Sequence, residues 1–335
     1  MIVLTNEYLN YNPPLPPVLY HYCSTQAFLS IIQNRSIWLS DADKTNDKME
    51  LRFIFKEIKK VIDVAINSYS SQYDDEILCY VKETSFKIIE NLFNKTAPIV
   101  SNGKFFLTCF SEDGDLLSQW RAYANNGKGI AIGFNSNLFA GFANSTSYGF
   151  TKIIYNENIL CEFLQKAINE PLKWAMDSCI DETTREYDKD DLIFQIAILI
   201  QGIWQEGFVY KHGSFSEERE WRIFRRAQSS NFNDDDGVDD YGYADFLEGL
   251  FINNEKYLGN FSRSQLKYRY TDNDIRLYYD LCFEKCKKDI IKEIILGPKC
   301  EIAELDLKLL LAQNKYIEDV WTDSIKIIKS ESPYV

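Results

Sequence analysis

The chain has 335 residues, of which 45% are hydrophobic and 26% are charged, so it can bury a sizeable core as one large or two ordinary domains. Its 37 Lys and Arg against 50 Asp and Glu give a formal net charge of −13. That charge argues against non-specific coating of nucleic acid or of anionic membranes. The composition also excludes collagen-like, disordered and disulfide-miniprotein classes, so we expect a folded, soluble protein.

Hydrophobic periodicity, caps and turn residues predict strands and helices in the following order. After a Pro-rich arm at 1–17, the first predicted elements are a strand at Val18–Tyr22, a helix from the N-cap Ser24 to Asn34, a strand at Ser36–Ser40, and helices from Lys48 to about Ser68 and over 75–94. The middle of the chain is predicted to form a strand at Lys104–Phe110, a helical turn at Leu116–Ala124, strands at Gly129–Phe134 and Gly149–Tyr155, and helices at Glu157–Ile180 and Asp190–Gln205. The last predicted elements are a strand at Phe215–Phe224, a helix over 276–290, a strand at Glu293–Leu296, a helix over 303–314 and a strand at Ser324–Ile328.

No repeat, linker or low-complexity tract divides the chain. We therefore predict a single α+β domain over 18–330, with a helical insert at about 156–206. The acid-rich stretch 233–245 is better interpreted as a solvated loop than as a cation site.

Location and redox state follow from the termini and the cysteines. The N-terminal residues lack a basic region and include Glu7, so they do not resemble a secretory signal. The longest apolar stretch, 192–204, is interrupted by two glutamines and is too short to span a bilayer. The eight cysteines are scattered, as expected for reduced thiols. We predict a cytoplasmic protein with no membrane partner.

Two motifs that suggest ligands have simpler explanations. Cys282, Cys286 and Cys300 could supply sulfur to zinc, but no Cys-x-x-Cys motif or nearby His completes a site, so we predict no metal. The glycines of 127–133 suggest phosphate binding, which requires glycines between a strand and a helix. Here Asn-Asn-Gly is typical of a turn that leads into a strand, so we predict a hairpin turn.

Residues suited to chemistry lie in three separated segments. His21 stands on a short predicted strand, and polar and aromatic residues cluster over 109–123. In the third segment Glu218, Glu220 and Arg222 share one face if the segment is a strand, because side chains alternate with a period of two. The alternative is an exposed charged strand edge with Trp221 inward and His21 as a hydrogen-bonded core imidazole.

Several motifs of the chain resemble those of a known protein family. The motifs YHY, SIWLSDADKTNDKMEL, CFSEDGDLLSQWRAYANNGKGIAIGF, KHGSFSEEREWRI and IKEIILGPK resemble the bacterial family called domain of unknown function 2971 over most of 18–300. SQWRAY with GKGIAIGF, and EREWR, are the specific blocks. That family in turn resembles the ADP-ribosyltransferase superfamily. The resemblance implies an ADP-ribosyltransferase-like split β-core, mixed or antiparallel, with flanking helices and a helical insert.

The same resemblance implies NAD, consumed as a substrate, and a set of site residues. Glu220 would be the catalytic Glu that stabilises an oxocarbenium-like ribose, with Glu218 activating the acceptor. His21, which the resemblance also places among the catalytic residues with Glu220 and Glu218, would contact the adenosine-side ribose. Tyr123 would stack on nicotinamide, and Arg121 or Arg222 would bind the pyrophosphate. The middle position of the family motif falls on Ser111 or Tyr123. The residues expected to bind NAD are His21, Tyr22, Ser111, Arg121, Tyr123 and Arg222.

Three functions follow as expectations. The first is an NAD-consuming transferase or glycohydrolase, of a toxin or anti-phage kind, whose acceptor is protein, nucleic acid or water and which has a cognate regulator or antitoxin. The second is a non-catalytic module on the same fold that senses a nucleotide or a partner. The third is a hydrolase or nuclease that acts through Glu218 and Glu220, for which the neighbouring basic residue is Arg where a metal-dependent nuclease would normally have Lys.

Overall fold

A computed structural model describes residues 13–44, 48–94, 103–144, 148–181, 186–228, 261–271, 273–321 and 324–334. These residues divide into two compact units. The helical unit consists of the described parts of 46–103 and 153–216, and the sheet unit of the described parts of 13–45, 104–152 and 217–335. The acid-rich stretch 233–245 and most of the Pro-rich arm lie outside the described residues.

The strands belong to one mixed sheet. They are β1 Val18–Cys23, β2 Ser36–Asp41, β3 Gly103–Ser111, β4 Ile130–Asn135, β5 Tyr148–Lys152, β6 Glu220–Gln228, β7 Ser262–Arg263, β8 Lys267–Thr271, β9 Asp274–Cys282, β10 Ile291–Leu296 and β11 Lys326–Lys329. Their order is β11-β10-β4-β1-β3-β2-β9-β7, with β6 also paired to β3 and β5 and with β8 paired to β9. The β10–β11 pair is parallel, and β4 is antiparallel to both β1 and β10.

Helices alternate with these strands along the chain. The α-helices are α1 Thr25–Asn34, α2 Lys48–Ser68, α3 Asp75–Asn94, α4 Leu117–Ala122, α5 Glu157–Ser178, α6 Lys189–Glu206, α7 Lys287–Ile290 and α8 Glu304–Gln313. The 3-10 helices are Ala42–Lys44, Ser136–Asn144, Gly207–Val209, Gly213–Glu218 and Glu284–Cys286. The structure thus confirms the predicted combination of a mixed sheet with flanking helices.

Side-chain alternation gives the sheet two distinct faces. The core face carries the main apolar cluster, with Leu19 on β1, Phe110 on β3, Ile132 on β4 and Trp221 on β6 among its buried members. Because neighbouring residues of a strand point to opposite sides, the residues between them lie on the second face. A smaller apolar cluster on that second face contains Tyr22, Trp120, Ala124, Ala131 and Ile295.

The predicted helix over 276–290 is wrong for most of its length. Residues Asp274–Cys282 form β9, which pairs with β2 and β8, and only Lys287–Ile290 is α-helical. Tyr279 and Leu281 are buried in the core, whereas the alternating residues Tyr278 and Asp280 are only partly buried, which is the period of a strand. Pairing on both edges of β9 therefore decides this segment against the helical interpretation.

The predicted strand over Phe215–Phe224 begins later than expected. Gly213–Glu218 is a 3-10 helix, and Arg219 has a φ of 43°, in the left-handed region, so the chain turns before β6 starts at Glu220. The main-chain N–H of Glu112 donates to the Arg219 carbonyl at 3.2 Å, which holds this turn beside the end of β3.

The helical unit has a core of its own. α2 and α3 match the predicted helices Lys48 to about Ser68 and 75–94, and they belong to the same unit as α5 and α6. The Tyr69 hydroxyl donates to the Asn169 carbonyl at 2.6 Å, and the Phe163 and Tyr210 rings stack at 5.5 Å. The predicted insert covers only the second chain segment of this unit, and a single domain over 18–330 stays a prediction.

One helical segment, Lys189–Val209, is long and apolar enough to cross a membrane by length and composition alone. Leu192, Ile196, Ile200 and Ile203 of this segment are buried in the protein at spacings of three and four. That spacing is also typical of a helix packed in a soluble core, so the segment is weak evidence for a membrane span. The cytoplasmic location stays a prediction.

Candidate functional site

The central feature of β6 is a buried ion pair. The Glu220 carboxylate accepts hydrogen bonds from Arg222 Nε at 2.6 Å and from Arg222 Nη2 at 3.1 Å. Only 7% of the Glu220 side chain and 4% of the Arg222 side chain is exposed. Since Trp221 and Ile223 point into the main core, Glu220 and Arg222 lie on the second face. The structure therefore brings together two of the predicted site residues, and the arginine holds both oxygens of the carboxylate.

Glu218 does not join this pair on a strand face. It ends the 3-10 helix before Arg219, so the expectation that Glu218, Glu220 and Arg222 alternate along one strand is wrong. The Glu218 carbonyl accepts a hydrogen bond from Ser111 Oγ at 2.8 Å.

Ser111 and Tyr22 hold the loop that follows β3. Ser111 Oγ accepts from the Asp113 N–H at 3.2 Å while donating to the Glu218 carbonyl. The Tyr22 hydroxyl donates to the Asp113 carbonyl and accepts from the Leu116 N–H, both at 2.9 Å. Burial raises the pKa of Tyr22. These hydroxyls therefore satisfy main-chain groups of the loop, which fixes its path across the second face.

Asp115 in the same loop makes a second set of contacts. Its carboxylate accepts from Trp120 Nε1 at 2.6 Å, from the Ser330 hydroxyl, and from the Glu331 N–H at 2.8 Å. The loop is thus joined both to α4 and to the segment after β11. We call this set of contacts the Asp115 clasp.

His21 lies on the opposite face of the sheet from Glu220. Its ladder partner is Ile132 of the main core, and its ring is 5.9 Å from that of Phe110. Nδ1 lies 2.9 Å from the Cys109 carbonyl, which can only accept, so the proton is on Nδ1 and the lone pair of the neutral ring is on Nε2. Burial lowers the pKa of His21. The structure does not bring His21 and Glu220 to a common face.

Arg121 and Tyr123 are exposed at the end of α4. The Arg121 guanidinium is 6.0 Å from the centre of the Tyr334 ring, and Lys299 Nζ is 4.0 Å from it. The Tyr334 hydroxyl donates to the side chain of Asn126. Tyr123 is 45% exposed. These two predicted NAD-binding residues therefore lie at the surface.

The chemistry open to these residues follows from their partners. A carboxylate that stabilises an oxocarbenium-like ribose must direct its negative charge at the substrate. The Glu220 carboxylate already faces a guanidinium in a buried setting, where a charge is stable only when paired. Ser111 and Tyr22 use their hydroxyls on the loop. This set is therefore well suited to hold the fold together.

Sequence analysis did not find a groove on the second face of β2 and β9. It is lined by Asn34, Ser36, Trp38, Arg263, Ser264, Lys267, Tyr278, Asp280 and Cys282 and has a volume of about 380 Å³. Arg269 and Arg276 stand on the same face in the β8–β9 ladder. We call the groove and these two arginines the cationic groove. The alternating Tyr278, Asp280 and Cys282 could have indicated it, had 276–290 been predicted as a strand.

Within the described ranges, no group of three or more His, Cys, Asp or Glu side chains is placed to hold a metal ion. Cys286 and Cys300 are buried, Cys282 is partly exposed, and all three are free thiols.

Comparison with known proteins gives one match. No curated protein and no solved structure matches the chain. The resemblance to ADP-ribosyltransferases therefore rests on the motifs alone. Residues 119–223, a segment that includes Arg121, Tyr123, Glu220 and Arg222, match the family described as Protein of unknown function (DUF2971), which supports the predicted family resemblance over that part of the chain.

Proposed function

We propose that this protein binds a nucleotide without cleaving it, as a recognition module. The observation that carries the proposal is the Glu220–Arg222 pair, in which a buried guanidinium occupies both oxygens of the carboxylate expected to do the chemistry. A carboxylate neutralised in this way has little charge left to stabilise an oxocarbenium-like ribose.

The placement of His21 supports the same conclusion. Its imidazole faces the core and bonds a main-chain carbonyl, whereas Glu220 lies on the second face. NAD cleavage through both groups requires them to reach the two riboses of one bound NAD molecule from the same face of the sheet. Side chains on opposite faces of a sheet do not converge in this way.

The proposal includes an ADP-ribosyltransferase-like split core. β3 has three pairing partners, β1, β2 and β6, so two of them share one edge of β3. β1 pairs with β3 at Ser111, whereas β2 pairs with it at Phe106 and Leu107. A sheet that divides at β3 supports a split core.

The test measures binding and cleavage separately. Calorimetry with NAD and with ADP reports binding, and chromatographic measurement of nicotinamide reports cleavage, each with wild type and Glu220→Gln. We expect nucleotide binding by both proteins and no nicotinamide release, with or without cell lysate. Glu284→Gln, at an exposed carboxylate of the sheet unit, controls for the loss of one negative charge.

Two results would overturn the proposal. Nicotinamide release by wild type and Glu284→Gln but not by Glu220→Gln would establish NAD cleavage, and dependence on lysate would indicate transfer to an acceptor. Absence of binding of both NAD and ADP would exclude nucleotide recognition.

A further inference from the structure

The cationic groove is built from three neighbouring strands whose side chains point the same way. In the ladders Trp38 is opposite Asp280, Lys267 is opposite Tyr278, and Arg269 is opposite Arg276. Directly paired residues in a ladder share a face, and residues two apart on a strand also share it. All six side chains therefore stand on the second face, away from the core-facing Tyr279 and Leu281.

The acids on this face already have basic partners. Asp280 accepts from the Lys267 ammonium and from Ser36 Oγ, and Asp274 accepts from Lys44 Nζ at 2.8 Å. Each of these carboxylates is therefore matched by a lysine. The hydrogen bond from Lys44 lowers the pKa of Asp274, and the nearby charge of Arg276 adds a smaller effect in the same direction.

Arg269 and Arg276 are like charges placed directly opposite each other, which costs stability in an antiparallel pair. In the part of the chain that the structure describes, the Nε atoms of both are buried and have no hydrogen-bond partner. The Arg269 guanidinium lies over Trp38, 4.8 Å from the ring centre. Burial, and next the charge of Arg276, lowers the pKa of Arg269. An external anion would relieve this repulsion.

We propose that the cationic groove binds a phosphate-bearing small molecule, with the phosphate held by Arg269 and Arg276 and an attached ring lying along Trp38 and Tyr278. This inference rests on the proposed function and gives it a place and a ligand chemistry. Phosphate oxygens accept paired hydrogen bonds from guanidinium groups, which is why arginine is frequent at phosphate sites.

The size and surroundings of the groove favour a nucleotide over a polymer. The groove, which lies beside Arg269 and Arg276 and is not lined by them, has a volume of about 380 Å³, in the range of small-molecule sites, and would hold the ring and sugar of the ligand. The Trp38 and Tyr278 rings, 4.6 Å apart, supply the aromatic surface on which a purine stacks. A net charge of −13 opposes the approach of a long polyanion. The ligand class is therefore a nucleoside phosphate.

The experiment is calorimetric titration of the full chain with ADP, pyrophosphate and adenosine. Variants Arg269→Gln and Arg276→Gln remove the proposed phosphate contacts, and Lys292→Gln removes one positive charge at an exposed position of β10 as the control. Arg121→Gln tests the pyrophosphate contact that the family resemblance implies. We expect each groove variant to weaken ADP binding about tenfold, as loss of one charge-assisted hydrogen bond implies. Lys292→Gln should bind ADP like wild type, and adenosine should bind much more weakly than ADP.

The outcomes separate this inference from the proposed function. If ADP binds to wild type and the groove variants equally, or if Arg121→Gln alone loses binding, the groove is not the site while nucleotide recognition stands. Equal affinity for adenosine and ADP overturns the phosphate contact. No binding of NAD or ADP overturns both. Melting curves of each variant without ligand show that lost affinity is not lost folding.

Discussion

Two pairs of charged residues on the second face of the sheet have opposite arrangements. Glu220 and Arg222 are two apart on β6, opposite in sign and almost fully buried. Arg269 and Arg276 are opposite each other on β8 and β9, alike in sign and partly exposed. The opposite charges of the first pair neutralise each other, whereas the two positive charges of the second pair add up.

This difference indicates that the first pair stabilises the fold and that the second pair is suited to bind a ligand. A buried pair of opposite charges is complete within the chain, and removing one partner leaves the other charge without compensation. Two like charges opposite each other repel in the folded protein, and a bound anion would relieve that repulsion. The conspicuous residues of β6 are therefore best assigned to stability, and the arginines of the β8–β9 hairpin to binding.

The largest expected effect comes from breaking the Glu220–Arg222 pair. Glu220→Ala leaves a buried guanidinium without its carboxylate, and we expect a loss of about 3 to 5 kcal/mol in the free energy of unfolding. Denaturant titration followed by tryptophan fluorescence measures it. The double variant Glu220→Leu/Arg222→Met, which removes both charges, should recover most of this loss. If Glu220→Ala unfolds like wild type, the pair has no structural role.

The next effect concerns His21, which is buried in its neutral form. Its pKa is lowered in the folded state, so the unfolded state binds the extra proton first, and stability falls as the pH drops below about 6.5. The slope should reach about 1.4 kcal/mol per pH unit. Urea titrations between about pH 7 and pH 5.5 should show this slope in wild type and not in His21→Gln. His212→Gln, at the exposed histidine, should keep the slope, and an unchanged slope in His21→Gln would contradict the assignment.

A smaller effect is expected at the loop after β3. Ser111→Ala removes one hydrogen bond to the Glu218 carbonyl and one from the Asp113 N–H, for a loss of about 1 to 2 kcal/mol. Ser118→Ala is the matched control, because the Ser118 hydroxyl is buried and has no hydrogen-bond partner among the described residues. We expect Ser118→Ala to be neutral or slightly stabilising in thermal unfolding. Equal losses in the two variants would show that the loop contacts add nothing.

The smallest effect tests the pair of like charges directly. Arg276→Gln removes the repulsion with Arg269, and we expect a gain of about 0.3 kcal/mol in the absence of ligand. The gain should disappear at about 1 M salt, where charges are screened over a few ångströms. Scanning calorimetry at low and high salt measures it. A loss of stability at low salt would mean that Arg276 is a structural residue.

Sequence patterns predicted much of this fold because they reflect local physics. The Ser24 cap, whose hydroxyl accepts from the Ala27 N–H, and the apolar stripe of α1 are both encoded within a few residues. The segment of β9 contains aromatic and charged residues that fit a helix or a strand. Its pairing with β2, far away in sequence, decides between them, and no local pattern contains that information.

The candidate site shows the same limit. The sequence correctly predicted that Glu220 and Arg222 lie together, because residues two apart on a strand share a face. It placed Glu218 with them wrongly, since the turn at Arg219 depends on packing against β3. The face on which His21 lies and the meeting of Trp38 with Arg269 follow from strand order alone. Residues brought together by strand order are therefore the ones that sequence analysis missed.

The Asp115 clasp has a consequence for synthesis on the ribosome. One edge of β4 pairs with β1, but the other edge pairs with β10 at Ile291–Leu296, which is synthesised much later. The Asp115 clasp also requires Ser330 and Glu331, which are synthesised later still. At roughly 5–20 residues per second, the ribosome takes on the order of ten to thirty seconds to get from the end of β4 to β10. During that interval the nascent chain exposes an unpaired strand edge beside the apolar Ile130 and Ile132. Such a surface is prone to aggregate and is a binding site for holdase chaperones.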